Sequence, residues 1–127
     1  MKKIINTQNA PAPIGPYNQA ILAGETLYIS GQIAINPESG ELVRDAITLE
    51  TRQVLENLKA ILEEANFTLE HVVKTSIFLS NMDYFATVNE IYAEYFSNGA
   101  APARETVAVN TLPKDVNVEI SAIAVRN

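Results

Sequence analysis

Val116-Asn117-Val118-Glu119-Ile120-Ser121-Ala122-Ile123-Ala124-Val125 sets Val116, Val118, Ile120, Ala122 and Ala124 at every second position. Spacing of that period places alternate side chains on one face of a β-strand. The opposite set carries Ile123 and Val125, which are also too apolar to leave in water. Both faces of the sheet therefore need cover, from helices on one side and from a second copy of the chain on the other. Glu119 interrupts this run, and Arg104 interrupts its neighbour, Pro102-Ala103-Arg104-Glu105-Thr106-Val107. Neither residue type is often fully buried without a partner. A guanidinium fork suits a planar carboxylate ligand, and a nearby carboxylate can orient or deprotonate water, so the two charges point to a small-acid site. An Arg104–Glu119 ion pair that only fixes the sheet accounts for them equally well.

Strands near 104–110 and 116–125 are separated by Thr111-Leu112-Pro113-Lys114-Asp115. If they pair across this turn with Val109 opposite Val116, Thr106 faces Glu119 and Arg104 faces Ser121. All four then share one face, a grouping that a one-residue slip between partners would break.

Upstream, Thr26 to Ile35 is β-branched and aromatic and ends at the turn signal Asn36-Pro37-Glu38-Ser39-Gly40, which predicts a central strand. Gly31 within it marks a bulge or a close backbone approach. Gln19 to Ala23 reads as a strand hairpinned to it through Gly24-Glu25. Val54, Leu55, Leu58, Ile61, Leu62 and Ala65 recur at three- and four-residue spacing, predicting an amphipathic helix over 48–65. Thr48 or Asp45 can cap its start, and Asn66 can take the left-handed conformation that ends it. Val72 to Leu79 reads as a strand. Phe85, Val88, Ile91, Tyr92, Tyr95 and Phe96 predict a second helix over 83–97, with Gly99 as its stop. The order β-β-(short β)-α-β-α-β-β gives an α+β fold, with about six strands and both helices on one face.

At 127 residues the chain is one domain, 1–127, and its 47% hydrophobic and 19% charged content is that of a globular protein. No apolar run approaches the roughly 20 residues that span a bilayer, and Met1-Lys2-Lys3-Ile4-Ile5-Asn6 breaks off too soon for a secretory h-region. With no cysteine there are no disulfides, thiolate metal sites or thiol nucleophiles, which fits a cytoplasmic chain. The net charge of −6 repels phosphate backbones, so no nucleic-acid partner is expected.

Three prolines and a glycine in Pro11-Ala12-Pro13-Ile14-Gly15-Pro16 restrict the backbone and present Tyr17-Asn18-Gln19 at a defined place. Tyr17 and Ser30 are candidate polar contacts, although such residues more often pack or bond backbone. Asn89 fits a solvated helix position. His71, the single histidine, lacks the neighbours of a metal site and reads as a surface or capping residue. The Tyr92, Tyr95 and Phe96 group reads as core. No phosphate loop, nucleophile elbow or His-Glu-x-x-His motif is present.

Ala10-Pro11-Ala12-Pro13-Ile14-Gly15-Pro16-Tyr17, Ser30-Gly31-Gln32-Ile33, Phe85-Ala86-Thr87-Val88-Asn89, Pro102-Ala103-Arg104, Leu112-Pro113-Lys114-Asp115-Val116 through Glu119, and Ala122-Ile123-Ala124 occur in the order and near the spacing of one family. On these motifs the sequence resembles the RidA/YjgF family of reactive-intermediate (enamine/imine) deaminases over essentially its whole length. The resemblance implies a chorismate-mutase-like α+β fold, a homotrimer with three sites between subunits, and no metal or organic cofactor. It also implies hydrolysis of 2-aminoacrylate and 2-aminocrotonate, released by pyridoxal-phosphate-dependent dehydratases, to 2-oxo acids and ammonia. Carried over by position, Arg104 grips the substrate carboxylate and Glu119 positions the attacking water. Tyr17, Ser30 and Asn89 line the pocket, with backbone groups near Gly31 and Thr106 assisting. Where many members have a small residue and then cysteine, this chain has Glu105 and Thr106. Strand alternation turns the Glu105 side chain away from Arg104.

Overall fold

A computed structural model describes residues 1–97 and 99–127. Six strands and two helices run β1 (Lys2–Ile5), β2 (Ala20–Ala23), β3 (Thr26–Gln32), α1 (Ile47–Glu64), β4 (Val72–Leu79), α2 (Phe85–Tyr95), β5 (Ala103–Ala108) and β6 (Val118–Val125). The sheet order is β1-β2-β3-β6-β4-β5. β4 and β5 pair in parallel and every other neighbour is antiparallel. The parallel pair needs a long crossover, and α2 supplies it.

Both helices cover one face. The α1 stripe of Val54, Leu55, Leu58, Ile61 and Leu62 is at most 2% exposed and meets the equally buried Leu27, Ile77, Leu79, Val118 and Ile120 of the sheet. Asn66 takes φ 62° just after α1, the left-handed turn expected of it. Neither Thr48 nor Asp45 caps the helix: Ala46 is the N-cap in an extended conformation, which leaves Thr48 already inside the first turn. α2 is shorter than its periodicity suggests. A 3₁₀ turn over Met82–Tyr84, capped by the Asn81 side chain, precedes it. It ends before Gly99 because Phe96 turns extended and lays its ring 4.8 Å from that of Tyr92.

The six strands are not the six expected. β1, a short edge strand with three exposed residues, carries little pattern. The short strand expected before α1 is a single bridge between Ile35 and Leu42.

The main correction concerns β5 and β6. They do not pair with one another, because β4 lies between them. The loop joining them steps over the end of β4 and is tied to it on both sides: Val109 N–H donates to Leu79 O at 2.9 Å, and Ser80 N–H donates to Asn117 O at 3.0 Å. Arg104 stands opposite Thr75, whereas Glu119 stands opposite Phe78. Positions three apart on β4 point to opposite faces. Arg104 and Thr106 thus belong to the helix-covered face, and Glu119 and Ser121 to the other. The expected grouping of these four on one face is wrong, and an Arg104–Glu119 ion pair within one chain is excluded.

The uncovered face is as apolar as the sequence indicates. Ile4, Ile21, Tyr28 and Ile123 form one cross-strand row. Ile4 is 54% exposed and Tyr28 is 51% exposed. Among the described residues no helix is long and apolar enough to cross a membrane.

Candidate functional site

The candidate residues assemble into two groups. The first surrounds a cavity of about 360 Å³ lined by Tyr17, Ser30, Gly31 and Glu119, with Pro13 and Ile33 among its apolar walls. The proline-rich loop holds its place through Gln19, which is 2% exposed. Its Oε1 accepts from the Thr7 N–H at 2.6 Å, and its Nε2 donates to the carbonyls of Thr7, Ala10 and Pro11 at 3.0, 3.2 and 2.8 Å. This one amide thus fixes the segment that presents Tyr17. The Tyr17 hydroxyl accepts from the Ile14 N–H at 3.3 Å, and the residue is 45% exposed. Ser30 Oγ donates to Asn18 O at 2.7 Å, so that hydroxyl ties the loop to β3.

Gly31 sits where the β3–β6 register shifts between Ile29 and Gln32, the bulge expected of it. The Glu119 side chain lies directly over it. A Cβ at position 31 would come within 2.8 Å of Glu119 Cδ, a separation that non-bonded carbons do not tolerate. Among the described residues neither a hydrogen bond nor a charged neighbour acts on the Glu119 carboxyl, and burial alone pushes its pKa above the usual carboxylate range. A half-buried carboxylate with its acceptor sites unused can hold and deprotonate a water. Gly31→Ala is accordingly expected to swing Glu119 out of the cavity and to lower activity about 10²-fold, the scale of a misplaced reacting group. Steady-state kinetics on the folded variant checks this.

The second group lies across the sheet. Arg104 Nη1 donates to Asn89 Oδ1 at 2.7 Å. Its guanidinium carbon stands 4.9 Å from the Tyr92 ring centroid and 5.7 Å from that of Phe85. Tyr92 and Phe96 are core, as expected, and the Tyr92 hydroxyl is 2.6 Å from Thr75 Oγ1. These contacts hold the guanidinium plane, while among the described residues no carboxylate pairs with it. Thr106, next on the same face, has a buried Oγ1 without a partner among the described residues. Asn89 is exposed, as its helix position suggests, yet it orients Arg104.

Glu105 points away from Arg104, as alternation requires. Its carboxylate accepts from Ser76 Oγ and pairs with Lys74 Nζ at 2.9 Å. The Ser76 hydrogen bond, and then Lys74, hold its pKa below the usual range. His71 closes a capping box, with Nδ1 accepting the Thr68 N–H at 2.9 Å. Among the described residues no three His, Cys, Asp or Glu side chains cluster to hold a metal ion.

Gln19, Phe85 and Tyr92 carry positioning roles that residue type alone does not signal. Arg104 is not among the residues lining the Glu119 cavity. One copy of the chain therefore presents Arg104 and Glu119 on opposite faces of its sheet.

The family model described as endoribonuclease L-PSP matches residues 7–126. A RutC family protein of Pyrococcus horikoshii is 56% identical over 124 residues, covering 98% of each chain. The 2-iminobutanoate/2-iminopropanoate deaminase of Escherichia coli K12 is 48% identical over 128 residues, covering 99% of each. Among solved structures, one from Thermotoga maritima has a TM-score of 0.97 at 52% identity, covering 100% of this chain and 99% of that one. E. coli TdcF with bound serine has a TM-score of 0.93 at 42% identity, covering 98% and 99%.

Proposed function

The chain belongs to the RidA/YjgF family, whose model is described as endoribonuclease L-PSP, and from that premise we propose that it is a 2-iminobutanoate/2-iminopropanoate deaminase. The observation that carries the reading is Glu119: a half-buried carboxylate, raised in pKa, held over Gly31 with no hydrogen-bond partner among the described residues, at the wall of a mostly apolar cavity.

Arg104 anchors the substrate carboxylate through the guanidinium edge that Asn89 leaves open. Because Arg104 and Glu119 lie on opposite faces of one sheet, a complete site takes Arg104 from one copy and Glu119 from the next. A homotrimer built on the uncovered apolar face provides three such clefts, a cyclic arrangement of unlike surfaces. Tyr17, Ser30 and Gly31 wall the Glu119 side of each cleft, and Asn89 and Thr106 flank the Arg104 side.

Proton uptake from solvent at the enamine carbon gives an iminium, whose carbon is already electrophilic. Glu119 accepts a proton as the held water adds to that carbon, giving a carbinolamine. Glu119 passes that proton to the amine nitrogen, the C–N bond breaks as the hydroxyl proton returns to Glu119 and on to solvent, and ammonia leaves a 2-oxo acid. Positioning one water beside an activated carbon supplies most of what this chemistry needs, without a covalent nucleophile.

A regulatory protein that binds a small acid in the same cleft is the second reading, and the serine-bound TdcF structure favours small-acid binding of either kind. The net charge of −6 disfavours RNA cleavage. Ammonia release from imines generated by threonine dehydratase decides between enzyme and sensor. Acceleration over buffer is expected, and no acceleration with retained 2-oxobutyrate binding leaves the sensor.

A further inference from the structure

Glu50 is a carboxylate that the proposed reaction does not touch, yet it is 1% exposed. It occupies the first turn of α1, where the helix dipole favours negative charge. Its Oε2 accepts the backbone N–H of Asn117 at 2.7 Å and that of Val118 at 3.0 Å, and its Oε1 accepts from Asn117 Nδ2 at 3.1 Å. Asn117 is gripped from the other side by Ser80, whose Oγ donates to Asn117 Oδ1 at 2.8 Å and whose N–H donates to Asn117 O at 3.0 Å. Among the described residues no cation pairs with Glu50. Burying such a carboxylate is costly, and its three N–H donors are what offset the cost.

The place of this clamp matters. β6 pairs with β4 as far as Val118, but its pairing with β3 ends at Ile120, opposite Gln32, where β3 itself stops just past the Ser30-Gly31 bulge. At 117–119 the β6 backbone has a strand on one side alone. Glu50 stands in for the missing strand by accepting the N–H groups of Asn117 and Val118. Glu119 follows immediately, and among the described residues its own carboxylate has no partner to orient it. Its aim therefore comes from the β6 backbone and from contact with Gly31.

We infer that Glu50 is a positioning residue for Glu119, fixing the β6 backbone where β3 has ended and leaves it without a strand. The inference rests on the role proposed above for Glu119. The test uses the full chain carrying Glu50→Gln, which keeps the shape and one acceptor oxygen. Hydrolysis is expected to lose about ten-fold or more in kcat with KM unchanged, since the Arg104 anchor is untouched. The acid limb of the kcat/KM profile is expected to move to lower pH as Glu119 gains solvent. Tyr17 is the other titratable group lining the cavity. The carboxyl ¹³C resonance of Glu119 should titrate at lower pH in step, a readout that needs no turnover. A purely structural Glu50 would lower thermal stability and leave both titrations in place, which overturns the inference. Should Glu50→Gln fail to fold, Ser80→Ala loosens Asn117 from the opposite side, and a fall in kcat alone is expected. An unchanged kcat there overturns the inference. Wild-type protein inactive on imines would refute the deaminase reading, while the Glu119 resonance would still decide the role of Glu50.

Discussion

Glu119→Gln is expected to abolish imine hydrolysis, lowering kcat by about 10²-fold or more, the scale of a lost general base. The amide cannot take the proton that water must lose, but it matches the carboxylate in size. Binding of 2-oxobutyrate, followed by calorimetry, is expected to persist because the anchor proposed above is Arg104. Arg104→Ala is expected to lose binding and hydrolysis together. Wild-type activity should fall as pH drops through the Glu119 pKa, on a limb above the ordinary carboxylate range because burial raises that pKa. The same shift makes a second claim. A carboxyl whose folded pKa exceeds its unfolded one favours the native state below the unfolded pKa, and that contribution is lost as pH rises through the folded value. At pH 7 the ionised Glu119 therefore opposes folding, and Glu119→Gln should be more stable to urea than wild type. The gain should vanish once the pH is low enough to protonate both states. Stability gained with activity lost is what a residue held in place for chemistry produces. Full turnover by Glu119→Gln would sink the assignment.

The fold was legible where burial and period coincide. The α1 stripe and β4, Val72–Leu79, follow their spacing because their core faces are shut off from water. β1 was illegible because an edge strand with one buried residue has no stripe to read. The neighbours of β5 and β6 were illegible for a different reason. The run from Thr111 to Asp115 serves a hairpin and a step over β4 equally well, and consecutive elements neighbour one another often enough to make the hairpin the natural first reading. The site divides in the same way. Arg104 and Glu119 stand out as charges in apolar strands, and Gly31 as a glycine in one. Which of them share a face depends on register, and no residue type reports register. Gln19 and Glu50 were missed because their work is done on backbone groups far along the chain, a role that leaves no local pattern.

Mixing two inactive variants is expected to restore activity. Arg104→Ala lacks the anchor and Glu119→Gln lacks the base, so each alone should be inactive. If every cleft takes Arg104 from one protomer and Glu119 from the next, a mixed trimer contains clefts in which both are intact. Random equimolar reassembly gives about a quarter of the clefts that combination, so co-refolded protein should regain about a quarter of wild-type kcat per cleft. Homotrimers of either variant, refolded in the same way, should stay inactive. The opposite-face placement makes this result specific. Arg104 stands opposite Thr75 beneath the helices and Glu119 opposite Phe78 on the uncovered side. Bringing both onto one substrate within a single protomer would require one of them to pass through the sheet. Failure of the mixture to recover, with mixed trimers demonstrated by mass spectrometry, would show that one protomer holds a whole site.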